Sequence, residues 1–591
     1  MAKKIKLEQK KRTSILLLSI AVLSSLTTVG AAIFFFNSRI EKGAVYQDVL
    51  EKASSLMQNT EVSNITFRGD ASNAEKIVFL SASDKNKTVV ASAADIDLSS
   101  AWNIAAVNTA RKAQKQDCSP QWLKADIVVQ SLSTELSDLH YTIASFGEGN
   151  FRCGISFDDD FKEAFLESEI NAAGAIDYNS MTIDLDALQE YAKRHDRPCP
   201  RELPEKVIIF QTAGWILDEQ NDIHTLQDAG ELYGSRTIDM DSITLEDVRQ
   251  ITAGAIQYLA GSVQKDGELL YHLFPGTGKR AEDYSITRHA GTLWAMVDEY
   301  AITRDKSLTT PIQAAAEYLI NHMVYKEDDI AYILGDNADS ILIGTSGLAL
   351  VALSAYTEAF GDDSYIDECR ALGNGIIELQ DEEDGSFYQI LYPDLSKAME
   401  FQSVFYDGES LFGLCELYGI TGDPKYLNAA RKAGDYFVAQ DYAKYNDHWV
   451  SYSMNALTKY VDDPRYYELS FRNICEHFDS FSSPGHTYLE KLMATYETYL
   501  RMKDRDIHVD YEVDIDRYRE AVRRQFSMNM SMVFFPEYAM YMENPGEILY
   551  TFFSRREAGG ISIRMDDIQH HVVGLNRLSE YWEDFSYDDS F

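Results

Sequence analysis

Cysteine is scarce, six in 591 residues, too few and too scattered for a disulfide scaffold. Three fall early (Cys118, Cys153, Cys199) and three late (Cys369, Cys415, Cys475). The late trio sits inside helical apolar patterns and reads as buried free thiols; one bridge within the early trio stays open. No C-x-x-C occurs, which argues against a cysteine metal site. Positive charge is also short, 54 Lys and Arg against 94 Asp and Glu, for a formal charge of −40. Phosphate backbones would be repelled, so no nucleic-acid partner is expected. Over 75–238 neither a Gly-rich phosphate loop nor a nucleophile elbow is found; "GEGNFRCG" has glycines without the dinucleotide-binding spacing. Long apolar runs are missing too, with one exception.

That exception is N-terminal. "MAKKIKLEQKKR" carries six basic residues and one acid, and about 24 uncharged residues follow from Thr13 to Phe36. At 1.5 Å per residue the run spans a hydrocarbon core of roughly 30 Å. The basic flank is expected to stay cytoplasmic, leaving the rest of the chain extracytoplasmic. A cleaved signal peptide is the rival, but its apolar region is normally shorter and no small-x-small site precedes "FFFNSR". The expectation is a single-pass cell-membrane protein: tail 1–12, transmembrane helix 13–36, and a membrane-proximal spacer or helix over 37–74.

What is abundant is apolar and aromatic material, 45% and 12%, with 36 tyrosines. A chain of this length exceeds one compact core, so more than one domain is expected. Over 75–238 strand and helix patterns mix. "KIVFLSAS", "KTVVASA", "KADIVVQSL", "YTIASFG" and "EKVIIFQTAGWIL" read as strands, and "LSSAWNIAAVNTARKAQ" and "DFKEAFLESEINAAGAI" as helices. This predicts a smaller α/β or α+β domain to which the sequence assigns no chemistry.

The character changes at Ser242, where a cap-like Thr244-x-x-Asp247 opens a long helical region. A turn leading into an amphipathic helix recurs with aspartates at Asp305, Asp362, Asp423 and Asp463. Polar-outward helices are predicted near 245–263, 308–323, 364–379, 424–440, 463–478 and 513–526. Apolar ones rich in small residues alternate with them near 285–302, 340–359, 405–420, 448–460, 487–503 and 567–583. Periods of this size mean stacked helical hairpins. Six alternating pairs predict a mainly α fold, an (α/α)6 toroid over 242–591, with an open solenoid as the alternative.

With phrases such as "LFGLCELYGITGDPKYLNAARKAGDYF" and "GTLWAMVDEYAITRDKSLTTPIQAAAEYL", about 60% of the chain resembles the six-hairpin glycosidase-like toroids. That superfamily includes glycoside hydrolases, unsaturated-uronide hydrolases, polysaccharide lyases and uronyl C5-epimerases. Terpene and lanthionine cyclases share the toroid. The cysteines here lack the zinc-site spacing a lanthionine cyclase needs, and an extracytoplasmic placement disfavours a terpene cyclase.

In such a ring the segments entering the inner helices share one mouth, so they are where chemistry is sought. The six entrances carry Tyr284, Arg288 and His289; Asp339, Ser340 and Thr345; Gln402, Tyr406, Asp407 and Glu409; Asn446, Asp447, His448, Trp449 and Tyr452; His486, Tyr488 and Glu490; and Arg564, Asp566, Asp567, His570 and His571. Five of the twelve histidines fall there, where chance would put about two. Asp and Ser at helix starts are also ordinary caps, His289 and His448 could be core histidines, and Trp449 and Tyr488 could be packing.

Glycoside hydrolysis needs two carboxyl groups, and the catalytic candidates are Asp407, Glu409, Asp447, Glu490 and Asp566, with His448. Asp407 leads; Glu409, about 200° further around the helix, follows. Lysis or epimerisation of a uronic acid would instead use a Tyr or His base with Arg or Asn stabilising developing charge. Tyr284, Arg288, His289, Gln402, Tyr406, Trp449, Tyr452, His486, Tyr488, Arg564 and His570 are the substrate-binding candidates. No cofactor and no metal are expected, because adjacent His570 and His571 point about 100° apart on a helix. The reading is a membrane-anchored carbohydrate-active enzyme, a glycoside hydrolase first and a uronate lyase or C5-epimerase second. A non-catalytic polysaccharide-binding protein working with envelope or export partners is the alternative class.

Overall fold

The computed structural model describes residues 42–62, 65–69, 75–147, 151–230, 233–335, 340–398, 401–557 and 560–586. The apolar run 13–36 and Asp339 lie outside the described residues, among which no helix is long and apolar enough to cross a membrane. The chain divides into two compact units. One holds the described residues up to Leu136 with Cys153–Phe165 and Ala192–Asp228; the other holds Ser137–Arg152, Leu166–Tyr191 and the chain from Ala229.

In the first unit, alternation of period two puts Val78, Leu80 and Ala82 of one strand on the same face as Leu123, Ala125 and Ile127 of the next. The sheet runs Thr88–Asp95, Lys76–Ser83, Trp122–Glu135, Lys206–Leu217, Gly154–Ser156, Ala164–Phe165, every neighbour on this path antiparallel. Helix Leu98–Gln116, capped by Asp97 accepting from the Ser100 N–H at 2.8 Å, covers that apolar face with Trp102, Ala105 and Ala110. The helix over 42–59 is no spacer. Val49, Ala53 and Leu56 join the same core, and Trp102 Nε1 donates to the Ala53 carbonyl at 3.1 Å.

Two expectations change here. "YTIASFG" is mostly helix (Leu139–Phe146), its apolar run being too short for periodicity to separate the two states. Segments 137–152 and 166–191 also belong to the helical unit rather than to a 75–238 domain. Helix Glu167–Ala173 is buried within that unit, where Arg152 pairs with Glu167 at 3.2 Å. A Cβ on Gly276 would stand 1.8 Å from the Ala172 carbonyl oxygen, so the backbones touch. All six cysteines are free thiols.

The second unit is the predicted ring. Outer helices Leu245–Ser262, Thr309–Ile320, Ile366–Glu378, Pro424–Ala439, Pro464–Cys475 and Ile515–Met530 alternate with inner helices Ile286–Thr303, Ile343–Phe360, Val404–Thr421, His448–Thr458, Tyr488–Asp504 and Met565–Glu580. Each inner helix packs on the next, and the sixth packs on the first. The ring closes, which excludes the open solenoid. The recurring aspartates are turn and cap residues: each of Asp305, Asp362, Asp423 and Asp463 accepts from the backbone N–H two residues on, at 2.9–3.1 Å. Small residues let the inner helices meet; a Cβ on Gly413 would lie 2.5 Å from the Gly347 carbonyl oxygen. One to two turns into the inner helices, aromatic rings from three of them meet. Trp294 of the first inner helix meets Phe412 of the third (5.6 Å between rings) and Tyr452 of the fourth (5.3 Å).

Candidate active site at the mouth of the ring

Contacts run from entrance to entrance around the whole mouth. The Thr287 and Thr345 hydroxyls are 2.6 Å apart, joining the first to the second. The Glu409 carboxyl lies over Gly344, where a Cβ would be 1.9 Å from Oε2, joining second to third. Gly408 is packed against Trp449, joining third to fourth. Tyr452 donates to Glu490 Oε2 at 2.9 Å, joining fourth to fifth. His570 Nδ1 lies 2.8 Å from Glu490 Oε1, joining fifth to sixth. Arg288 Nε is 3.0 Å from Asp566 and returns to the first.

Position at the mouth does not make every candidate available. Asp407 is 0% exposed; Gln389 Nε2 donates to one oxygen at 2.7 Å and the Tyr442 hydroxyl to the other at 2.5 Å. Burial raises its pKa to about 6 against those two hydrogen bonds. It ties the inner ring to segments following outer helices. His289 does the same: Nδ1 meets the Tyr284 hydroxyl at 2.6 Å, Nε2 meets the Ala315 carbonyl at 2.9 Å, and burial pushes the imidazole down to about 4. Tyr284 and His289 are therefore scaffold. Tyr488 packs its ring on Phe481 and lies under Lys491 Nζ. Gln402 is exposed and contacts Gln389 and the Phe387 carbonyl.

Asp566 is fully engaged. Arg564 bridges both its oxygens (3.1 and 2.6 Å) and Arg288 adds a third contact; despite burial, these cations hold the carboxyl below the usual range. Arg288 also bonds the Tyr271 hydroxyl. Asp447 caps the fourth inner helix, accepting from Trp449 and Val450 N–H groups, while its Oδ2 lies 3.3 Å from His448 Nδ1.

Glu409 differs. It is 4% exposed, its Oε2 is buried with no hydrogen-bond partner, and burial together with the negative charge of Asp447 raises its pKa well above the usual value. Phe405 and Tyr406 flank it on the same turn, and the exposed Phe401 and Phe405 add apolar faces at this entrance.

Three histidines gather where the fourth, fifth and sixth entrances meet. His448 and His570 rings are 5.2 Å apart and perpendicular, and His486 lies 5.2 Å from His570. Burial works against a charge on His570, but Glu490, Asp566 and Asp567 outweigh it and raise its pKa. Burial and the positive His570 push His486 the other way. His571 is buried against Phe552, with its pKa lowered by burial. One histidine nitrogen from each of His448 and His570 and an oxygen of Glu490 lie within 4.8 Å of one another. The set spans three entrances and does not use the His570–His571 pair.

Several site residues escape sequence reasoning. Lys491 is buried, donates to the Asn446 carbonyl and side-chain oxygens at 2.8 Å each, and is pushed down to about 7, chiefly by burial. Its signal is position, next to Glu490 in the first turn of the fifth inner helix. Gln389 and Tyr442 lie far from Asp407 in sequence and carry no local signal.

No family profile and no curated protein matches the chain. Among solved structures it is similar to a D-mannose isomerase (TM-score 0.45, 11% identity, 58% of this chain and 98% of that one). It is also similar to the cellobiose 2-epimerase from Bacillus thermoamylovorans B4167 (0.44, 11%, 57% and 99%) and to an unsaturated glucuronyl hydrolase specific for heparin (0.42, 12%, 57% and 99%). The closed ring of six inner and six outer helices is the predicted (α/α)6 toroid. At such identities no reaction carries over from these proteins.

Proposed function

We propose that the protein is a carbohydrate-active enzyme that hydrolyses a glycosidic bond in a surface or exported polysaccharide, with Glu409 as proton donor. The observation that carries this is the Glu409 carboxyl, buried at the mouth with one oxygen unpartnered. Burial and the charge of Asp447 raise its pKa and so favour the protonated form that a general acid for the leaving oxygen uses. Asp447 is the second carboxylate of the pair. Phe401, Phe405 and Tyr406 offer ring faces for sugars. The aromatic plug formed by Trp294, Phe412 and Tyr452 gives the lumen a floor, which favours a chain end over a strand threaded through.

Product release from a glycan panel tests the reading. Wild-type protein should release reducing ends and Glu409→Gln should not; equal release by both sinks the assignment. A protein that binds glycans and releases nothing would instead be a polysaccharide-binding module. A second reading, uronate lysis or C5 epimerisation, is favoured by the exposed His486, which stands 3.8 Å from Asp567 at the mouth with a ring nitrogen open to a substrate proton. Unsaturated products, or solvent deuterium at C5, would select it.

The run 13–36, flanked by the basic 1–12 segment, supports anchorage with the ring outside the cell membrane. Protease added to intact cells should degrade the ring; protection would overturn that placement.

A further inference from the structure

We infer that His448, Glu490 and His570 form a binding site for one divalent transition-metal cation of the zinc class. The inference goes beyond the hydrolytic reading and does not depend on it. Two imidazoles and a carboxylate are a donor set that borderline cations prefer. The three ligand atoms lie within 4.8 Å of one another, and bonds of 2.0–2.2 Å to a shared ion would hold such atoms about 3.3 Å apart.

The decisive detail is an alignment that fails. Glu490 Oε1 and His570 Nδ1 are 2.8 Å apart, yet both are buried and neither has a hydrogen-bond partner of acceptable geometry. Glu490 is 0% exposed and His570 8%. A carboxylate and an imidazole this close ordinarily turn to share a proton. A cation that displaces the proton from His570 Nδ1 would be met by that nitrogen and by Glu490 Oε1, and would satisfy both atoms.

The surroundings complete the pattern. His448 presents Nδ1 to Asp447 Oδ2 at 3.3 Å, which leaves Nε2, 4.0 Å from Glu490 Oε1, for the ion. Glu490 takes the Tyr452 hydroxyl on Oε2 at 2.9 Å, which leaves Oε1. A carboxylate behind a histidine and a hydroxyl behind a carboxylate are the outer contacts that fix metal ligands in place. Three protein ligands leave a coordination position open, the arrangement of a cation that meets water or substrate rather than one that only braces the fold.

The test uses the full chain, purified, stripped with chelator and titrated with Zn²⁺ and, separately, Co²⁺. We expect one equivalent by elemental analysis, visible bands of low-symmetry Co²⁺ with nitrogen ligation, and a melting temperature that rises with added zinc. Glu490→Gln and His570→Gln should each weaken binding at least 100-fold, while His508→Ala, an exposed histidine in the 504–514 connection, should not. A stripped wild type that takes up no stoichiometric metal overturns the site, as does a Glu490→Gln/His570→Gln variant that still binds one equivalent. If the variants fail to fold, the wild-type Co²⁺ spectrum decides alone: the spectrum of the hexa-aquo ion refutes the site. The two proposals fail separately. Metal bound without glycan release ends the hydrolytic reading, and release by metal-free protein without metal uptake ends this one.

Discussion

The mouth of the ring has two sides, and they use the same residue types differently. Toward the outer helices, Asp407 and His289 are buried with both polar atoms of each side chain bonded, to Gln389 and Tyr442 and to Tyr284 and the Ala315 carbonyl. Between the inner helices, Glu409, Glu490 and His570 are buried too, but each keeps an atom without an aligned partner. A buried polar group costs stability unless it is paired. The outward side lowers that cost by pairing; the inward side leaves it standing. Availability, rather than location at the mouth, separates scaffold from chemistry.

Four measurements would break or sharpen that contrast. The largest effect is expected from Glu409→Gln, which should lower turnover 10²–10⁴-fold with the fold intact by circular dichroism. Turnover of the wild type should also fall on the alkaline side, as the carboxyl whose pKa burial and Asp447 raise finally ionises. Asp407→Asn, two residues away, should change turnover less than threefold; a comparable loss in both would erase the distinction. Second, Gly413→Val would press a side chain into the Gly347 carbonyl and should cost about 1–3 kcal/mol in denaturant unfolding. Third, His289→Leu removes the imidazole bonds to the Tyr284 hydroxyl and the Ala315 carbonyl and should cost about 1–3 kcal/mol, with turnover per folded molecule preserved.

The smallest is a pH slope. The Asp407 pKa rises from 3.8 to about 6 in the fold, chiefly through burial, so the folded state binds this proton more tightly than the unfolded chain. Its contribution is fully present below about 3.8 and is lost as pH rises through about 6. Asp407→Asn should flatten unfolding free energy over that window by roughly 3 kcal/mol; an unchanged slope would place the titration elsewhere.

The ring was legible because each hairpin announces itself locally. Aspartates at 423 and 463 precede Pro at the first helical position, and Gly361 and Gly422 end inner helices in the left-handed conformation. Helix ends therefore fell within a few residues of expectation. The entrances were legible as places, but the direction of a side chain was not. Asp407 and Glu409 differ by about 200° around one helix, and nothing local says which arc faces the lumen. Their ranking reversed once Gln389 and Tyr442 appeared beside Asp407, partners set by loops 18 and 35 residues away. The metal-ligand set was hidden for a related reason. Its members sit on three different inner helices, and the adjacent His570–His571 pair drew attention to the wrong neighbour.

Ring closure also dictates when the site comes into being. His570, Arg564 and Asp566 lie on and just before the sixth inner helix, which packs against the first, 286–303. During synthesis the first five inner helices emerge and pair with their neighbours while the mouth still lacks one wall. The seam joining segments about 280 residues apart is among the least local contacts in the ring, and such contacts form late. A nascent chain thus carries Glu409 and His448 for many seconds before the residues that complete their surroundings exist. The mouth is completed at one step, when the sixth inner helix reaches the first.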